Sequence, residues 1–329
     1  MKAILFTQYG SADFLELKDI PKPSPKEQEV LVKVYAASIN SWDWELLMGK
    51  PFVNRLMFGL LRPKKINILG CDIAGRVEAV GAKVTQFKTG DEVFGDLSSA
   101  GWGGFAEYVC APEYALLTKS EKMTFEQAAA MPQAALLALQ GLRNKGQIQS
   151  GQKVLINGAG GGVGTFALQL AKFFGAQATG VDCVSKLDIM GLAGADEVID
   201  YNKQNFTKNG QHYDLILDVA AYHSLADYKR ALSPSGHFIM VGGSMALANR
   251  LMLLSWLTSM FNNKKTELLL HKANQGLVFI KELYDAGKIV SIIDRTYPLN
   301  QLAEALKYFE KGQAMGKIVI RIDDVRNPK

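Results

Sequence analysis

The sequence predicts an α/β protein of two domains, one β-rich and one built from a parallel sheet covered by helices. Three observations predict it: a length of 329 residues, short alternating strands before residue 123, and a regular succession of strands and helices after residue 152. The length corresponds to two domains of ordinary size. A hydrophobic content of 48% is enough for a substantial core, so a disordered chain is excluded.

Charge and cysteine content exclude several classes of protein. The 37 Lys and Arg against 32 Asp and Glu leave a net charge of +5, far short of the clustered charge of a dedicated nucleic-acid binder. Cys71, Cys110 and Cys183 form neither a disulfide framework nor a zinc array. The N-terminal apolar run is too short for a signal peptide, and no apolar stretch reaches the roughly 20 residues of a spanning helix. We expect a cytoplasmic protein with no transmembrane segment and no nucleic-acid partner.

Short alternating strands predict the β-rich domain. Alternation and β-branched residues mark short strands over residues 2–6, 30–36 and 74–80, and glycine, proline or polar turns bound each stretch. Such strands are typical of a barrel or a sandwich. The chain returns to short strands after residue 289, including residues 317–322. We therefore expect one domain from residues 1–122 with 290–329, and a second from residues 123–289.

Strands that alternate with helices predict the second domain. Thr124 and Gln127 form a capping-box pattern at the start of a helical region over residues 126–142. Strands then follow at residues 154–157, 177–181, 197–199, 214–218 and 237–241, with helices at 165–174, 187–192 and 225–232. Because parallel strands need such crossover helices, this region predicts a parallel sheet.

A glycine-rich loop joins the first of these strands to its helix. Its candidate cofactor-binding residues are Gly158, Gly160, Gly161, Gly162, Val163 and Gly164. Glycines let the backbone turn sharply and approach a pyrophosphate, while the helix amides and dipole favour its negative charge. Asp182, at the end of the next strand, lies where a carboxylate holds the adenosine ribose. Together these features predict a dinucleotide site rather than a bare turn.

Asp182 and Lys186 leave the choice of dinucleotide open. A carboxylate accepts hydrogen bonds from a ribose 2′-hydroxyl but repels a 2′-phosphate, so Asp182 favours NADH. Lys186 is either a cation that reaches such a phosphate or a solvated surface lysine. The expected cofactor is NADP(H) or NAD(H).

Several further motifs occur in a fixed order along the chain. They are LGCDIAG at 69–75, VEAVG at 77–81, GDEVF at 90–94, GGFAEY at 103–108, GQKVL at 151–155 and GADEVIDY at 194–201. With the glycine loop, they make the sequence similar to the medium-chain dehydrogenase/reductase superfamily, and within it to the zinc-less quinone oxidoreductase-like enzymes. The resemblance covers essentially the whole chain. It implies a GroES-like catalytic domain, a Rossmann domain with a doubly wound parallel sheet, an NADPH or NADH cleft between them, and a homodimer.

The resemblance also implies roles for single residues at strand ends. Gly160 to Val163 match pyrophosphate contacts, and Lys186 and Tyr201 match positions near the adenosine phosphate. The backbone positions that match contacts to the cofactor's ribose and carboxamide are Val219, Ala220, Gly242 and Gly243. Ordinary packing at the sheet edge is the alternative for those four.

The sequence departs from the zinc-dependent members of the superfamily. Those members carry a cysteine near the position of Asn40, a Gly-His-Glu in place of Gly70-Cys71-Asp72, and a cysteine-rich lobe. In this chain all four histidines fall in the nucleotide-binding half. Zinc needs thiolate or imidazole ligands in a tetrahedral array, and Cys71 alone cannot build one. We expect no metal, and a Cys71 that packs as a small core residue.

Without zinc, hydride transfer favours acceptors that delocalise negative charge, namely quinones and α,β-unsaturated carbonyls. Asn40 is the candidate hydrogen-bond donor to the substrate oxygen, because it matches the family's Asn-Pro-x-Asp motif with Ser41 in place of proline. The alternative is an asparagine that caps its own loop. Asp43 is expected to orient that loop. Trp42 and Trp44 either wall a flat acceptor or fill the core.

The predicted function is a zinc-independent, NAD(P)H-dependent oxidoreductase that acts on small-molecule quinones or enones. Two alternatives stay open: a zinc-independent alcohol or aldehyde dehydrogenase, and a non-catalytic nucleotide-sensing or RNA-binding protein on the same fold. The apolar stretch 245–261, followed by Lys264 and Lys265, is a packed or subunit-contacting helix, a substrate-pocket wall or a membrane-surface face.

Overall fold

The computed structural model describes residues 1–64, 66–252 and 264–322, which form parts of two compact units. The first unit comprises Met1–Gln133, Ala273–Asp285 and Ser291–Lys329, and the second comprises Ala134–Lys272 and Ala286–Val290. These limits differ from the predicted boundaries after residues 122 and 289. One physical reason is that the Phe125 ring stacks on Tyr35 of the first unit, with centroids 4.6 Å apart. Another is that the Asn274 side chain bonds both the N–H and the C=O of Asp96.

The strands are numbered in chain order. They are β1 (Lys2–Phe6), β2 (Leu15–Asp19), β3 (Glu29–Ser38), β4 (Asp72–Val80), β5 (Glu92–Asp96), β6 (Tyr108–Pro112), β7 (Leu117–Thr118), β8 (Lys153–Asn157), β9 (Gln177–Asp182), β10 (Glu197–Asp200), β11 (Tyr213–Asp218), β12 (Leu232–Met240), β13 (Lys265–Leu268), β14 (Ile293–Pro298) and β15 (Lys317–Arg321).

The α-helices whose bounds are fully described are numbered in the same way. They are α1 (Ser41–Met48), α2 (Phe52–Phe58), α3 (Phe125–Ala129), α4 (Pro132–Leu139), α5 (Gly162–Phe173), α6 (Leu187–Leu192), α7 (Leu225–Ala231), α8 (Leu277–Asp285) and α9 (Leu302–Glu310).

The first unit contains a large sheet of mainly antiparallel pairs. Its strand order is β14-β15-β3-β4-β5-β7, β6 pairs with β3, and β1 and β2 form a separate antiparallel pair. The register places Ser38 opposite Asp72, and Asp72 opposite Asp96. Val319 of β15 also lies opposite Ser38, so Lys317 enters the same end of the sheet. Polar side chains from four strands therefore meet where β3 ends.

The second unit contains a parallel sheet, as the alternation of strands and helices predicts. Its order is β10-β9-β8-β11-β12-β13, and each neighbouring pair is parallel. Aromatic packing strengthens its core: the rings of Tyr228 and Phe238 stack with centroids 4.0 Å apart, and both are fully buried. Because the strands are parallel, the loops after β8, β9, β10, β11 and β12 all lie at one edge of the sheet.

One predicted helix differs from the observed structure. The region predicted as one helix over residues 126–142 is divided into α3, α4 and a π-helical segment Gln140–Lys145. Pro132 starts α4 because proline lacks an N–H group and fits the first position of a helix but not its interior. The predicted cap is confirmed: the Thr124 hydroxyl accepts from Gln127 N–H at 3.2 Å, and the Gln127 side chain accepts from Thr124 N–H at 2.9 Å.

The apolar stretch 245–261 is described only in part. Residues 245–252 are helical, and Leu247 and Leu251 are buried in the core of the second unit. This part favours packing, and the rest of the stretch lies outside the described residues. In the ranges that the structure covers, every helix is too short or too polar to cross a lipid bilayer.

Candidate active site and nucleotide-binding loop

The glycine loop turns directly from the end of β8 into α5. The N–H groups of Gly158 and Ala159 donate to the Val181 carbonyl at 2.9 and 3.1 Å, which ties the loop to β9. The first bond into α5 runs from Thr165 N–H to the Gly161 carbonyl, at 2.9 Å. The amides of Gly162, Val163 and Gly164 are the first three of α5, where N–H groups have no acceptor within the helix itself. They stand in the first turn of a helix, where they can bind an anion.

Two glycines of the loop are needed for close packing. A Cβ atom on Gly164 would lie 2.2 Å from the Gly158 carbonyl oxygen and 2.4 Å from Ala159 Cα. A Cβ atom on Gly160 would lie 2.6 Å from Lys186 Cβ. Gly158 has a positive φ of 76°, a conformation that favours glycine. The loop geometry therefore depends on these residues and fits a bound pyrophosphate.

Asp182 is more enclosed than the sequence indicates. Its carboxylate accepts the Gly160 N–H at 3.0 Å and the Cys183 N–H at 2.9 Å, and lies 3.6 Å from the Lys186 ammonium. Both side chains of this ion pair are buried. Asp182 thus holds the glycine loop in place, and the Lys186 ammonium offsets the negative charge of Asp182. The interpretation of Lys186 as a solvated surface lysine is wrong.

The remaining predicted cofactor-binding residues also lie at the carboxyl edge of the sheet. Tyr201 follows β10 with its side chain about half exposed, and its N–H donates to the Asp182 carbonyl at 3.1 Å. Val219 and Ala220 follow β11, while Gly242 and Gly243 follow β12. A Cβ atom on Gly243 would lie 2.4 Å from the backbone of Ala221. The structure therefore brings the predicted cofactor-binding residues to one edge of the second unit.

A second carboxylate, which the sequence patterns did not single out, organises this edge. Asp218 is fully buried at the end of β11. It accepts hydrogen bonds from Asn157 Nδ2 at 2.9 Å, Ala220 N–H at 2.9 Å and the Tyr228 hydroxyl at 2.8 Å. Burial raises the pKa of the Asp218 carboxyl, and these hydrogen bonds oppose the rise. Asp218 ends β11 as Asp182 ends β9, and this position in the sequence could have identified it as a candidate site residue.

A cavity of about 390 Å³ opens beside the loop in the second unit. Its lining comprises Asn157, Gly158, Asp182, Tyr201, Gln204, Asn205, Phe206, Ala220, Tyr222 and His223. Aromatic rings, amides and one carboxylate are suitable partners for a purine nucleoside. Four of the predicted cofactor-binding residues, Gly158, Asp182, Tyr201 and Ala220, line this cavity.

A buried polar cluster surrounds Asn40 in the first unit. The Asn40 amide nitrogen donates to Asp72 Oδ2 at 3.0 Å and to Cys71 Sγ at 3.3 Å. Its Oδ1 accepts from the Lys317 ammonium at 2.6 Å. Gln133 closes the cluster, since its N–H donates to Asp72 Oδ1 at 3.1 Å and its Nε2 to Cys71 Sγ at 3.5 Å. Both ends of the Asn40 side chain are therefore held by protein groups.

Asp43 holds the loop that carries Asn40. Its carboxylate accepts the Asn40 N–H at 2.8 Å and the Gly70 N–H at 2.8 Å, and the residue is fully buried. Burial raises the pKa of this carboxyl to about 7, while the two N–H donors oppose the rise. Trp44 packs partly buried against the core, whereas Trp42 is 38% exposed.

Cys71, Asp72 and Asp96 bring potential ligand atoms within 4.8 Å of one another, the only such group among the described residues. Cys71 is fully buried, yet it accepts hydrogen bonds from Asn40 and Gln133, so it is more than an apolar core residue. Lys317 reaches the same place: its ammonium donates to the Ile39 carbonyl at 3.0 Å and lies 3.8 Å from Asp72 Oδ2.

Burial controls the ionisation of this cluster. It raises the pKa of the Asp72 carboxyl to about 7, and the neighbouring Lys317 ammonium opposes that rise. Burial lowers the pKa of Lys317, and Asp72 opposes that fall. The pKa of the Cys71 thiol is raised well above its usual range by burial and by the Asp43 and Asp72 charges, so the thiol stays protonated. The sequence did not predict Lys317 as a site residue, because it lies 277 residues from Asn40 and only the folded sheet brings the two together.

Comparison with known proteins agrees with this architecture. Residues 26–121 match the model for the alcohol dehydrogenase GroES-like domain, and residues 193–320 match the model for zinc-binding dehydrogenase. A chloroplastic quinone-oxidoreductase homolog of Spinacia oleracea is 33% identical, covering 97% of this chain and 98% of that protein. The chain belongs to the medium-chain dehydrogenase/reductase superfamily, in its quinone oxidoreductase-like branch.

Other members of the superfamily extend the comparison. An NADPH-dependent alkenal/one oxidoreductase of Arabidopsis thaliana is 29% identical, covering 97% of this chain and 79% of that protein. The quinone oxidoreductase structure from Coxiella burnetii has a TM-score of 0.86 at 30% identity, covering 98% of this chain and 99% of that one. The predicted fold class, a GroES-like domain with a Rossmann-like parallel sheet, is thereby confirmed.

Proposed function

We propose that the protein reduces quinones or α,β-unsaturated carbonyls with NAD(P)H and without zinc. The observation that carries the proposal is the glycine loop, whose first-turn helix amides lie at the carboxyl edge of a parallel sheet in a quinone oxidoreductase-like chain. Relatives named as a quinone oxidoreductase homolog and an alkenal/one oxidoreductase support the two acceptor classes. Bound NAD(P)H supplies the hydride.

Different residues at the sheet edge bind different parts of the cofactor. The amides of Gly162, Val163 and Gly164 hold the pyrophosphate at the positive end of α5. Asp182 keeps the loop in place through Gly160 N–H. Because the Lys186 ammonium offsets the Asp182 charge, the pocket accepts a 2′-phosphate as well as a 2′-hydroxyl. We propose that NADPH binds at least as well as NADH.

The buried cluster in the first unit does not fit a zinc ion. Zinc ligands must be deprotonated, and the Cys71 thiol, whose pKa burial raises, is held protonated. The Lys317 ammonium already stands 3.8 Å from Asp72 and supplies the positive charge that a metal would bring. A second cation there would be repelled. We propose that in this chain Lys317 supplies the positive charge that a zinc ion would otherwise bring.

Asn40 is the proposed donor to the oxygen on which negative charge develops. The Lys317 ammonium bonds Asn40 Oδ1, which polarises the amide and strengthens its N–H groups as donors. Of its two present acceptors, Cys71 Sγ at 3.3 Å is the weaker, because a neutral thiol accepts hydrogen bonds poorly. A developing oxyanion can replace that sulfur. Asp43 remains a positioning residue that fixes the loop.

Acceptor-dependent oxidation of NADPH tests the proposal. A quinone and an enone such as methyl vinyl ketone are expected to support oxidation of NADPH, and acetone is not. Ethanol is not expected to support reduction of NADP⁺. Asn40→Ala should lower kcat by about 100-fold, as does the loss of one oxyanion donor, with the Kd for NADPH unchanged. NADPH binding without turnover by any conjugated acceptor would contradict the proposal.

We also propose a homodimer in a reducing cytoplasm. β13 is the terminal strand of the parallel sheet, so a second chain can extend the sheet at that edge. Cys71, Cys110 and Cys183 are all unbridged, which supports a reducing compartment. Light scattering on purified protein tests the oligomeric state: a mass of two chains is expected, and a monomer at micromolar concentration would contradict it.

A further inference from the structure

An exposed apolar surface occurs on α2 and the turn that follows it in the first unit. Six large apolar side chains within ten residues are exposed: Phe52, Val53, Leu56, Met57, Leu60 and Leu61. Their exposed fractions run from 48% at Val53 to 89% at Leu61. Phe52 and Leu56, four residues apart, share one face of α2, and Leu60 and Leu61 follow in the turn after Gly59. We call residues 50–65 the apolar-basic segment.

The charge of the same segment is one-sided. Between Glu45 and Asp72 the chain has no acidic residue and five basic ones, namely Lys50, Arg55, Arg62, Lys64 and Lys65. The rest of the chain carries 32 basic and 32 acidic residues, so this segment alone accounts for the net charge of +5. A partner for this surface must therefore combine apolar material with negative charge.

The segment is held in place by the body of the first unit. The Tyr9 hydroxyl donates to the Gly59 carbonyl at 2.9 Å, and the Arg55 guanidinium lies over the Tyr9 ring at 4.9 Å. Arg55 also bonds the Gly49 carbonyl at 3.3 Å. Arg55 and Phe58 are thus packed against the first unit, while Leu56 of α2 and Leu60 of the following turn remain exposed.

A mixed groove lies at the end of this segment. It has a volume of about 930 Å³ and is lined by Thr7, Gln8, Gly59, Leu60, Leu61, Arg62 and Lys64. Two exposed cations, two exposed leucines and two uncharged polar side chains meet there. This combination suits a phospholipid, whose phosphate pairs with the cations while its acyl region covers the leucines.

We infer that the apolar-basic segment docks the protein onto the surface of an anionic lipid bilayer. A cluster of lysine and arginine beside exposed apolar side chains is the usual basis of binding to acidic lipids, and Lys50, Arg62 and Lys64 of this segment are exposed. Exposed leucine and phenylalanine side chains then enter the headgroup region. Docking of this kind does not depend on the proposed reaction, although it would bring the protein to apolar acceptors dissolved in the membrane.

Vesicle flotation tests the inference with the full-length protein. Vesicles of equal parts phosphatidylglycerol and phosphatidylcholine are expected to carry the protein, and vesicles of phosphatidylcholine alone are not. The double variant Arg62→Gln/Lys64→Gln should weaken binding about 25-fold, since each surface cation contributes about 5-fold. Leu60→Ser/Leu61→Ser should weaken it by at least about 10-fold through lost apolar burial.

Matched variants elsewhere on the surface serve as controls. Lys208→Gln/Lys311→Gln removes the same charge from exposed positions, and Leu192→Ser/Leu270→Ser removes the same apolar groups from residues 82% and 67% exposed. Both controls should bind vesicles like the wild type. If the charge control loses as much vesicle binding as Arg62→Gln/Lys64→Gln, or if Leu60→Ser/Leu61→Ser loses none, the protein binds vesicles only through its overall charge. Either result would overturn the inference.

Two further outcomes would also overturn it. If no vesicle binds and Leu60→Ser/Leu61→Ser breaks a dimer in sedimentation, a second copy of the chain covers this surface. If that variant loses NADPH oxidation with a water-soluble quinone, the surface belongs to the acceptor site. If Leu60→Ser/Leu61→Ser keeps its turnover but no longer floats with vesicles, docking is supported. If the wild type floats with vesicles but has no turnover, the proposed reaction is refuted and the docking inference is not.

Discussion

Replacing Lys317 with methionine tests whether this lysine is the permanent cation of the buried cluster. The change removes the ammonium 3.8 Å from the Asp72 carboxylate and leaves the Ile39 carbonyl and Asn40 Oδ1 without their donor. Both ionic side chains are at most 4% exposed, so water cannot replace the lost partner. Breaking a buried pair from one side costs about 3–5 kcal/mol of unfolding free energy. We expect a loss of this size for Lys317→Met above neutral pH.

The loss should depend on pH in a defined direction. Burial raises the pKa of the Asp72 carboxyl to about 7 in the wild type, and removal of Lys317 raises it further. Below that pKa the folded variant carries a neutral Asp72, which does not need a cation. The destabilisation should therefore be smaller at about pH 5.5 than at about pH 8. Asp72→Asn combined with Lys317→Met should recover part of the loss at the higher pH.

Denaturant unfolding followed by tryptophan fluorescence measures this effect. Three of the four tryptophans, Trp42, Trp44 and Trp102, belong to the first unit and report its unfolding. Lys307→Met, which removes an exposed lysine in the same unit, is the matched control and should leave the transition nearly unchanged. A Lys317→Met protein that unfolds like the wild type at both pH values would refute the role of Lys317.

Three other substitutions test separate parts of the structure. Burial raises the pKa of the Glu45 carboxyl to about 7, so the folded protein loses stability as the pH rises through that value and this carboxyl ionises. Glutamine stays neutral. Glu45→Gln should therefore raise the unfolding free energy by about 1–2 kcal/mol at pH 8 and leave it unchanged at pH 4. Denaturation at both pH values measures this, and a change independent of pH would contradict it. Gly164→Ala should weaken NADPH binding by at least about 10-fold in calorimetry, because its Cβ would lie 2.2 Å from the Gly158 oxygen, whereas Gly191→Ala, with nothing within 4 Å, should bind normally. Asp182→Ala should weaken NADPH and NADH alike, because the carboxylate fastens the loop; a loss confined to NADH would show that it is a ribose acceptor.

Local patterns predicted most of the second unit. The strands around the glycine loop and the capping pair Thr124 and Gln127 follow from period, turn residues and caps, which act over a few residues. The break before α4 also had a local cause, Pro132, which the alanine-rich composition of the region concealed. The short edge strand β13 carried too little periodicity to be predicted.

Long-range pairing determined what the sequence could not predict. Asn40 and Asp43 were identifiable from their motif, but their partners Gln133 and Lys317 come from distant segments that only the folded sheet brings together. The charge of Asp182 suggested a free acceptor, yet two backbone N–H groups and Lys186 occupy it. Residue types therefore located the site, whereas tertiary contacts decided what each side chain can do.

Turnover by metal-stripped protein tests the central claim most directly. Chelator-treated enzyme would be assayed for quinone-dependent NADPH oxidation, with zinc measured in the same sample. We expect undiminished turnover at substoichiometric zinc, because Lys317 supplies the positive charge of the cluster. Activity that disappears with the chelator and returns with stoichiometric zinc would contradict it.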